Sequence, residues 1–177
     1  MQRTLLDRDL RSFGRCGRIR PFRDELVNPA SYNLRIGTTA KIETAQGIED
    51  LDLASYSRES PYWLEPGGWI LTDVIEWVDI PPDHEACVVL RSSAARMGWD
   101  HALAGYIDPG YSGRLTLEFV NCLKHHCLPL YSGAQLVQIR ITSLGQKPCS
   151  SYEVTGRYSN AVRVESCKDP ELMVPRA

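Results

Sequence analysis

Three neighbouring stretches concentrate side chains that could do chemistry. The first, LRSSAARMGW, carries Arg91, Ser92, Ser93 and Arg96 directly after the apolar run ACVVL. Hydroxyls, backbone donors and guanidinium forks at a strand end suit phosphate oxygens. The same residues also fit an ordinary helix start, with a serine as N-cap and the arginines in water. The second stretch, AGYIDPGYSG, holds Asp108 in an Asp-Pro-Gly turn. The third, SGRLTLEFVN, reads as a strand with one carboxylate, Glu118. Alternation puts Leu115, Leu117 and Phe119 on its core face and Arg114, Thr116, Glu118 and Val120 on the other. Alone, that polar face would meet water. Beside the other two stretches it becomes a pocket wall. A carboxylate desolvated there is suited to take up and return a proton near neutral pH.

The elements that must position these residues are mostly strands. YNLRIGTTAKI, GWILTDVIEWVDI, ACVVLR, GRLTLEFVN and AQLVQIRIT are short, rich in Val, Ile, Leu, Thr and Trp, and divided by EPGG, IPPDHE, IDPGYSG and LPLYSGA. That punctuation predicts a sandwich or jelly-roll barrel. Residues 5–16 form the one helix expected, capped by Asp7, with Leu10 and Phe13 on one face and Gly14 and Gly17 ending it. Residues 43–62 read as an irregular polar surface excursion. From Cys149 onward apolar residues are few, and the tail is either a frayed end or a flap that orders on binding.

A chain of 177 residues has the size of one domain. Its net charge of −2 argues against a general nucleic-acid or membrane-surface binder. No apolar run is long enough to span a bilayer, and the charged start MQRTLLDRDLRSFGR lacks the core of a signal peptide, so a cytoplasmic protein is expected. The six cysteines form no C-x-x-C pair. Cys122 and Cys127 bracket His125 and His126, but tighter spacing is usual for zinc. Reduced, mostly buried thiols are expected.

The ordered set LLDRDLRSF, RIRPF, NPASYNLRIG, LEPGGWILTDVIEWVDIP, RSSAARMG, AGYIDPGYSG, LTLEFVN and LPLYSGAQLVQIRI resembles the dCTP deaminase family, within the dUTPase-like trimeric superfamily. The resemblance implies a distorted jelly-roll β-barrel with a short N-terminal helix over residues 1–148. It implies a C-terminal flap over 149–177, ordered on nucleotide binding. It also implies a homotrimer, or a hexamer, with sites at subunit boundaries. The implied reaction is hydrolytic deamination of dCTP, or of a C5-modified dCTP, to the corresponding dUTP and ammonia. Glu118 matches the proton-shuttling glutamate. Ser92 and Arg96 match residues flanking the base and the attacking water, and the Ala104 carbonyl matches the acceptor that holds the water. Arg91 and Ser93 would reach the triphosphate, with His101, Leu103, Asp108, Tyr152, Arg157 and Tyr158 as further substrate contacts. Mg²⁺ enters only with the triphosphate. The H-x-E and P-C-x-x-C signature of zinc deaminases is absent from the sequence, and no zinc is expected.

Three positions depart from the family pattern: Asn33 stands for an Asp, Trp99 for a smaller aliphatic residue, and Leu103 for a Thr. Two other functions stay open. One is a dUTP diphosphatase or a bifunctional deaminase–diphosphatase, with Asp108 placing a water against the α-phosphorus. The other is a non-catalytic nucleotide-binding protein on the same scaffold.

Overall fold

A computed structural model describes residues 2–102 and 104–169. Leu103, a predicted substrate contact, lies outside the described residues. In chain order the strands are β1 (Arg3–Thr4), β2 (Ile19–Arg20), β3 (Val27–Asn28), β4 (Ser31–Leu34), β5 (Ile36–Thr44), β6 (Gly47–Asp52) and β7 (Tyr62–Leu64). They continue as β8 (Trp69–Asp79), β9 (His84–Leu90), β10 (Trp99–His101), β11 (Tyr106–Ile107), β12 (Ser112–Asn121), β13 (Leu128–Leu130) and β14 (Val137–Ser143). The α-helices are α1 (Asp7–Phe13), α2 (Ser92–Met97) and α3 (Tyr152–Thr155).

The pairings are antiparallel. One sheet runs β11–β9–β14–β4–β3, with β1 added along β14. The other runs β10–β12–β8–β5–β6, with β2 added along β8. β7 and β13 form a separate ribbon. Leu34, Val88 and Ile139 of the first sheet join Ile70, Leu117 and Phe119 of the second in one buried cluster. Each side chain of that size stabilises by about 1.5–3 kcal/mol on full burial. The expected mainly β class with a short N-terminal helix holds.

A buried ion pair locks the second sheet. Glu76 is fully buried and accepts from Arg35 Nε at 2.6 Å and from Arg35 N at 2.9 Å. The pair pins the β4–β5 junction to β8. Removing either partner alone would cost about 3–5 kcal/mol, because the other charge stays buried.

Three local expectations are corrected. Leu6, not Asp7, holds the N-cap position of α1, and it is Asp9 that accepts the Leu6 N–H, at 3.2 Å. Asp7 instead pairs with Arg11 one turn on, at 2.9 Å. The segment 43–62 is not irregular throughout, since β5 turns back into β6 in a ladder from Thr44↔Gly47 to Thr39↔Asp52. The cysteines are free, but Cys16, Cys87, Cys122, Cys149 and Cys167 are exposed rather than buried. Among the described residues no three of His, Cys, Asp and Glu stand together as metal ligands. No described helix is long and apolar enough to cross a membrane.

Candidate active site

β12 and β8 build the wall that carries Glu118. Buried and partly exposed residues alternate strictly along β12, with Leu115, Leu117 and Phe119 inward, as the sequence predicts. Cross-strand partners share a face, so Glu118 stands beside Leu71, Val120 beside Trp69, and Thr116 beside Asp73. Leu71 and Trp69 exclude water next to the carboxyl. Its Oε2 is shielded from solvent and meets no hydrogen-bond donor among the described residues. Desolvation pushes the Glu118 carboxyl above its ordinary value; a backbone N–H and the neighbouring His101 oppose the shift weakly. An acid that keeps its proton more readily and lines a cleft can exchange that proton with a ligand.

The cleft in front of Glu118 encloses about 450 Å³. β11 closes one side, carrying Ala104 and Asp108 at its ends into the lining. Gly105 permits this approach: Val88 donates to the Gly105 carbonyl at 2.7 Å, and a Cβ at 105 would lie 2.2 Å from the Val88 oxygen. Asp108 is exposed, and its carbonyl accepts from Tyr111 at 3.1 Å in the predicted turn. Arg114 also reaches the cleft but is tied to the fully buried Asp73 at 3.2 Å.

The tail closes the other side. Tyr152 N donates to the Pro109 carbonyl at 2.9 Å, and Asn160 N to the Ser112 carbonyl at 2.6 Å. Arg114 N donates to the Ala161 carbonyl at 2.8 Å. Val164 N and Glu165 N donate to the hydroxyls of Thr39 and Thr116, at 2.9 and 3.0 Å. Gly113, with φ at 155°, leaves room for this docking; a Cβ there would stand 3.0 Å from Ala161 N. Tyr152, Tyr158 and Glu165 thereby enter the lining. Glu165 is ion-paired with Lys168.

A second cleft, of about 600 Å³, opens between α2 and the segment joining β13 to β14. Arg91 and Ser93 line it, opposite Tyr131, Gly133 and Gln135. Arg91 donates to the Gln135 carbonyl at 2.8 Å, which holds its guanidinium against the wall. A chain of amides braces Gln135: Asn28 donates to Asn33 Oδ1 at 2.8 Å, and Asn33 donates to Gln135 Oε1 at 3.0 Å. Asn33 therefore serves as both donor and acceptor, which an ionised Asp could not do. Its lining contains arginines and no carboxylate.

One chain thus divides the predicted site. Glu118, Ala104, Asp108, Tyr152 and Tyr158 meet in the acidic cleft. Arg91 and Ser93 stand in the basic one, while Ser92 and Arg96 are exposed and line neither. Within a single chain Ser92 and Arg96 do not join Glu118 in the lining of its cleft. Arg157 is not in the cleft; it is exposed and ion-paired with Asp169 at 2.5 Å. His101 is buried behind β12, its Nδ1 3.2 Å from the Glu118 carbonyl and its ring 5.8 Å from that of Phe119. It touches the main chain under Glu118 rather than the cleft. Trp99 is buried edge-on to Phe119 at 6.0 Å. The sequence reading missed Trp69, Leu71 and Glu165. The first two were accessible from β8 alternation once its register with β12 was known; Glu165 had no local signal.

Known proteins can be set beside this geometry. The family model described as dCTP deaminase-like matches residues 5–144. The protein named "dCTP deaminase, dUMP-forming" of Mycolicibacterium gilvum (strain PYR-GCK) is 34% identical, over 87% of this chain and 89% of its own length. The protein of the same name from Rhodococcus jostii (strain RHA1) is 33% identical over the same shares. The solved 2'-deoxycytidine 5'-triphosphate deaminase of Agrobacterium tumefaciens superposes with a TM-score of 0.68 at 22% identity, which speaks to the fold alone. That match covers 80% of this chain, which spans about half the length of that structure, 48%.

Proposed function

The chain belongs to the dCTP deaminase-like family, and on that premise we propose that it deaminates dCTP hydrolytically, with Glu118 moving the protons. The observation that carries this reading is the desolvated Glu118 carboxyl in the cleft lining, whose shielded Oε2 has no partner among the described residues. The relatives' names specify plain dCTP, and the proposal takes that base.

The chemistry follows from the residues in place. A water held by the Ala104 carbonyl attacks C4 of cytosine while Glu118 accepts its proton. The proton passes to N3 as the ring becomes tetrahedral at C4. Glu118 takes the second proton from the bound hydroxyl and gives it to the amino group. The C–N bond then breaks, ammonia leaves, and the C4 carbonyl forms. Such positioned proton transfer contributes roughly 10²–10⁴-fold in rate. Trp69 and Leu71 keep bulk water off the carboxyl.

The triphosphate lies in the basic cleft, on Arg91 and Ser93. Because that cleft belongs to a different part of the chain, the complete site forms between copies in a homotrimer, or in a hexamer built from it. Ser92 and Arg96 of a neighbouring copy reach the base there. Among the described residues the basic cleft offers no carboxylate to a cation, so a Mg²⁺ would be carried by the nucleotide itself.

The end product is dUMP in this proposal. The relatives' printed names support it over the dUTP that the motifs alone suggested. Reaching dUMP requires a second water to attack the α-phosphorus and expel pyrophosphate, with Asp108 at the cleft edge as the group to orient it. Incubation with dCTP, with ammonia and pyrophosphate measured separately, tests the reading. Equal amounts of both are expected. Ammonia without pyrophosphate would restore dUTP as product. Saturable nucleotide binding with no ammonia would leave only the non-catalytic alternative.

A further inference from the structure

We infer that Arg58 is a second guanidinium of the basic cleft, dedicated to the outermost phosphate of a bound nucleoside triphosphate. The inference rests on the reading of that cleft as the phosphate site. Arg58 comes from the segment that reads as an irregular excursion, yet its side chain joins Arg91 and Ser93 in lining the cleft.

The turn that presents it is held on both sides. Ser57 and Ser60 exchange both backbone hydrogen bonds, at 3.1 and 3.2 Å. The Ser57 hydroxyl accepts from the N–H groups of Glu59 and Ser60, each at 3.2 Å. Tyr56 meets Tyr62 edge-on, with ring centroids 5.6 Å apart. Tyr62 opens β7, which pairs with β13, and β13 runs directly into Tyr131 of the opposite wall. The Arg58 backbone is thereby tied to the cleft it faces.

Its charge is uncompensated. The adjacent carboxylate, Glu59, takes a hydrogen bond from the Ser57 hydroxyl at 3.0 Å. Neither Arg58 nor Arg91 has an ion pair among the described residues, and the cleft lining holds no carboxylate. Two like charges facing one hollow repel each other until an anion bridges them. The two arginines differ in depth. Arg91 is half-buried and partly committed to the Gln135 carbonyl, whereas Arg58 is exposed and its guanidinium meets no acceptor among the described residues. Arg91 therefore serves an inner phosphate and Arg58 an outer one. A planar fork suits a terminal phosphate bidentately.

The test measures inorganic tripolyphosphate binding by calorimetry to the wild type, Arg58→Ala, Arg58→Lys and Arg91→Ala, beside steady-state kinetics with dCTP and binding of dCDP. Arg58→Ala is expected to weaken tripolyphosphate about 10-fold and raise KM for dCTP by a similar factor, with kcat and dCDP binding unchanged. Arg58→Lys should fall between, since charge is kept and the fork is lost. Unchanged tripolyphosphate binding in Arg58→Ala overturns the inference, as does an equal loss for dCDP. A wild type that does not bind tripolyphosphate removes the phosphate cleft and this inference with it. Arg58-dependent tripolyphosphate binding without ammonia release from dCTP would keep Arg58 and remove the deaminase reading.

Discussion

The two clefts differ in sign, in depth and in how they are built. The acidic cleft sits on the interior of a sheet, where strand register fixes Glu118 beside Leu71 and the tail shuts out water. The basic cleft sits among connections, with Arg58 on a turn, Arg91 at a strand end, and Gln135 on the approach to β14. Proton transfer needs a carboxyl whose affinity for a proton is tuned by dry surroundings. Phosphate capture needs positive charge that stays hydrated and accessible until the anion arrives. An unpaired guanidinium directly beside Glu118 would draw the carboxyl back down; Arg114, which shares the cleft, is tied to Asp73 instead. In one chain the two groups stand in separate clefts, so each keeps its own environment.

Breaking the acidic half gives the largest effect. Glu118→Gln should lower ammonia release from dCTP by roughly 10³-fold or more while nucleotide binding persists; near-normal turnover would end its assigned role. Breaking the basic half should look different. Arg91→Ala is expected to raise KM for dCTP about 10–100-fold with kcat little changed, since a charge-assisted contact to phosphate acts alike in ground and transition states. A fall in kcat at saturating dCTP would instead place Arg91 at the reacting base.

The division between copies can be tested by mixing. Glu118→Gln and Arg91→Ala subunits, exchanged in equal amounts and assayed at low dCTP, should recover activity in about a quarter of sites if each site takes one cleft from each of two copies. Activity no higher than the average of the two variants would show that one chain holds the whole site.

The smallest effect sharpens the cause of the Glu118 shift. Burial raises this carboxyl above its ordinary value of 4.5. The native chain then holds the proton more tightly than the unfolded chain, so stability falls as pH climbs from that ordinary value through the raised one. Glu118→Gln should therefore melt higher than wild type at neutral pH, by about a few degrees. The gap should close in acid as the wild-type carboxyl protonates. A gap independent of pH would assign the change to packing.

Sequence alone carried the acidic half further than the basic half, for a physical reason. Two-residue alternation in SGRLTLEFVN orients Glu118 without any knowledge of its partner strand, and IDPG announces its own turn. Arg58 and Glu165 reach their clefts through tertiary contacts: a turn held to β7, which pairs with β13, and a tail bonded to Thr116. No local pattern encodes those. Asn33 stands where the family pattern has an Asp, and only its neighbours Asn28 and Gln135 show that it works as a donor–acceptor relay. The cap of α1 was misplaced by one residue: the helix starts after Leu6, whose N–H is taken by Asp9, while Asp7 turns to Arg11.

In the five hydrogen bonds described between the tail and the barrel, the tail contributes only main-chain atoms: the N–H groups of Tyr152, Asn160, Val164 and Glu165, and the carbonyl of Ala161. The polar part of the docking is therefore independent of which side chains the tail carries, while Tyr152, packed on Tyr111, both anchors and lines. Tyr158 and Glu165 can be exchanged for other side chains without undoing the bonds that dock the segment. Selection, or an engineer, can rewrite what the closed cleft accepts while leaving the means of closing it intact.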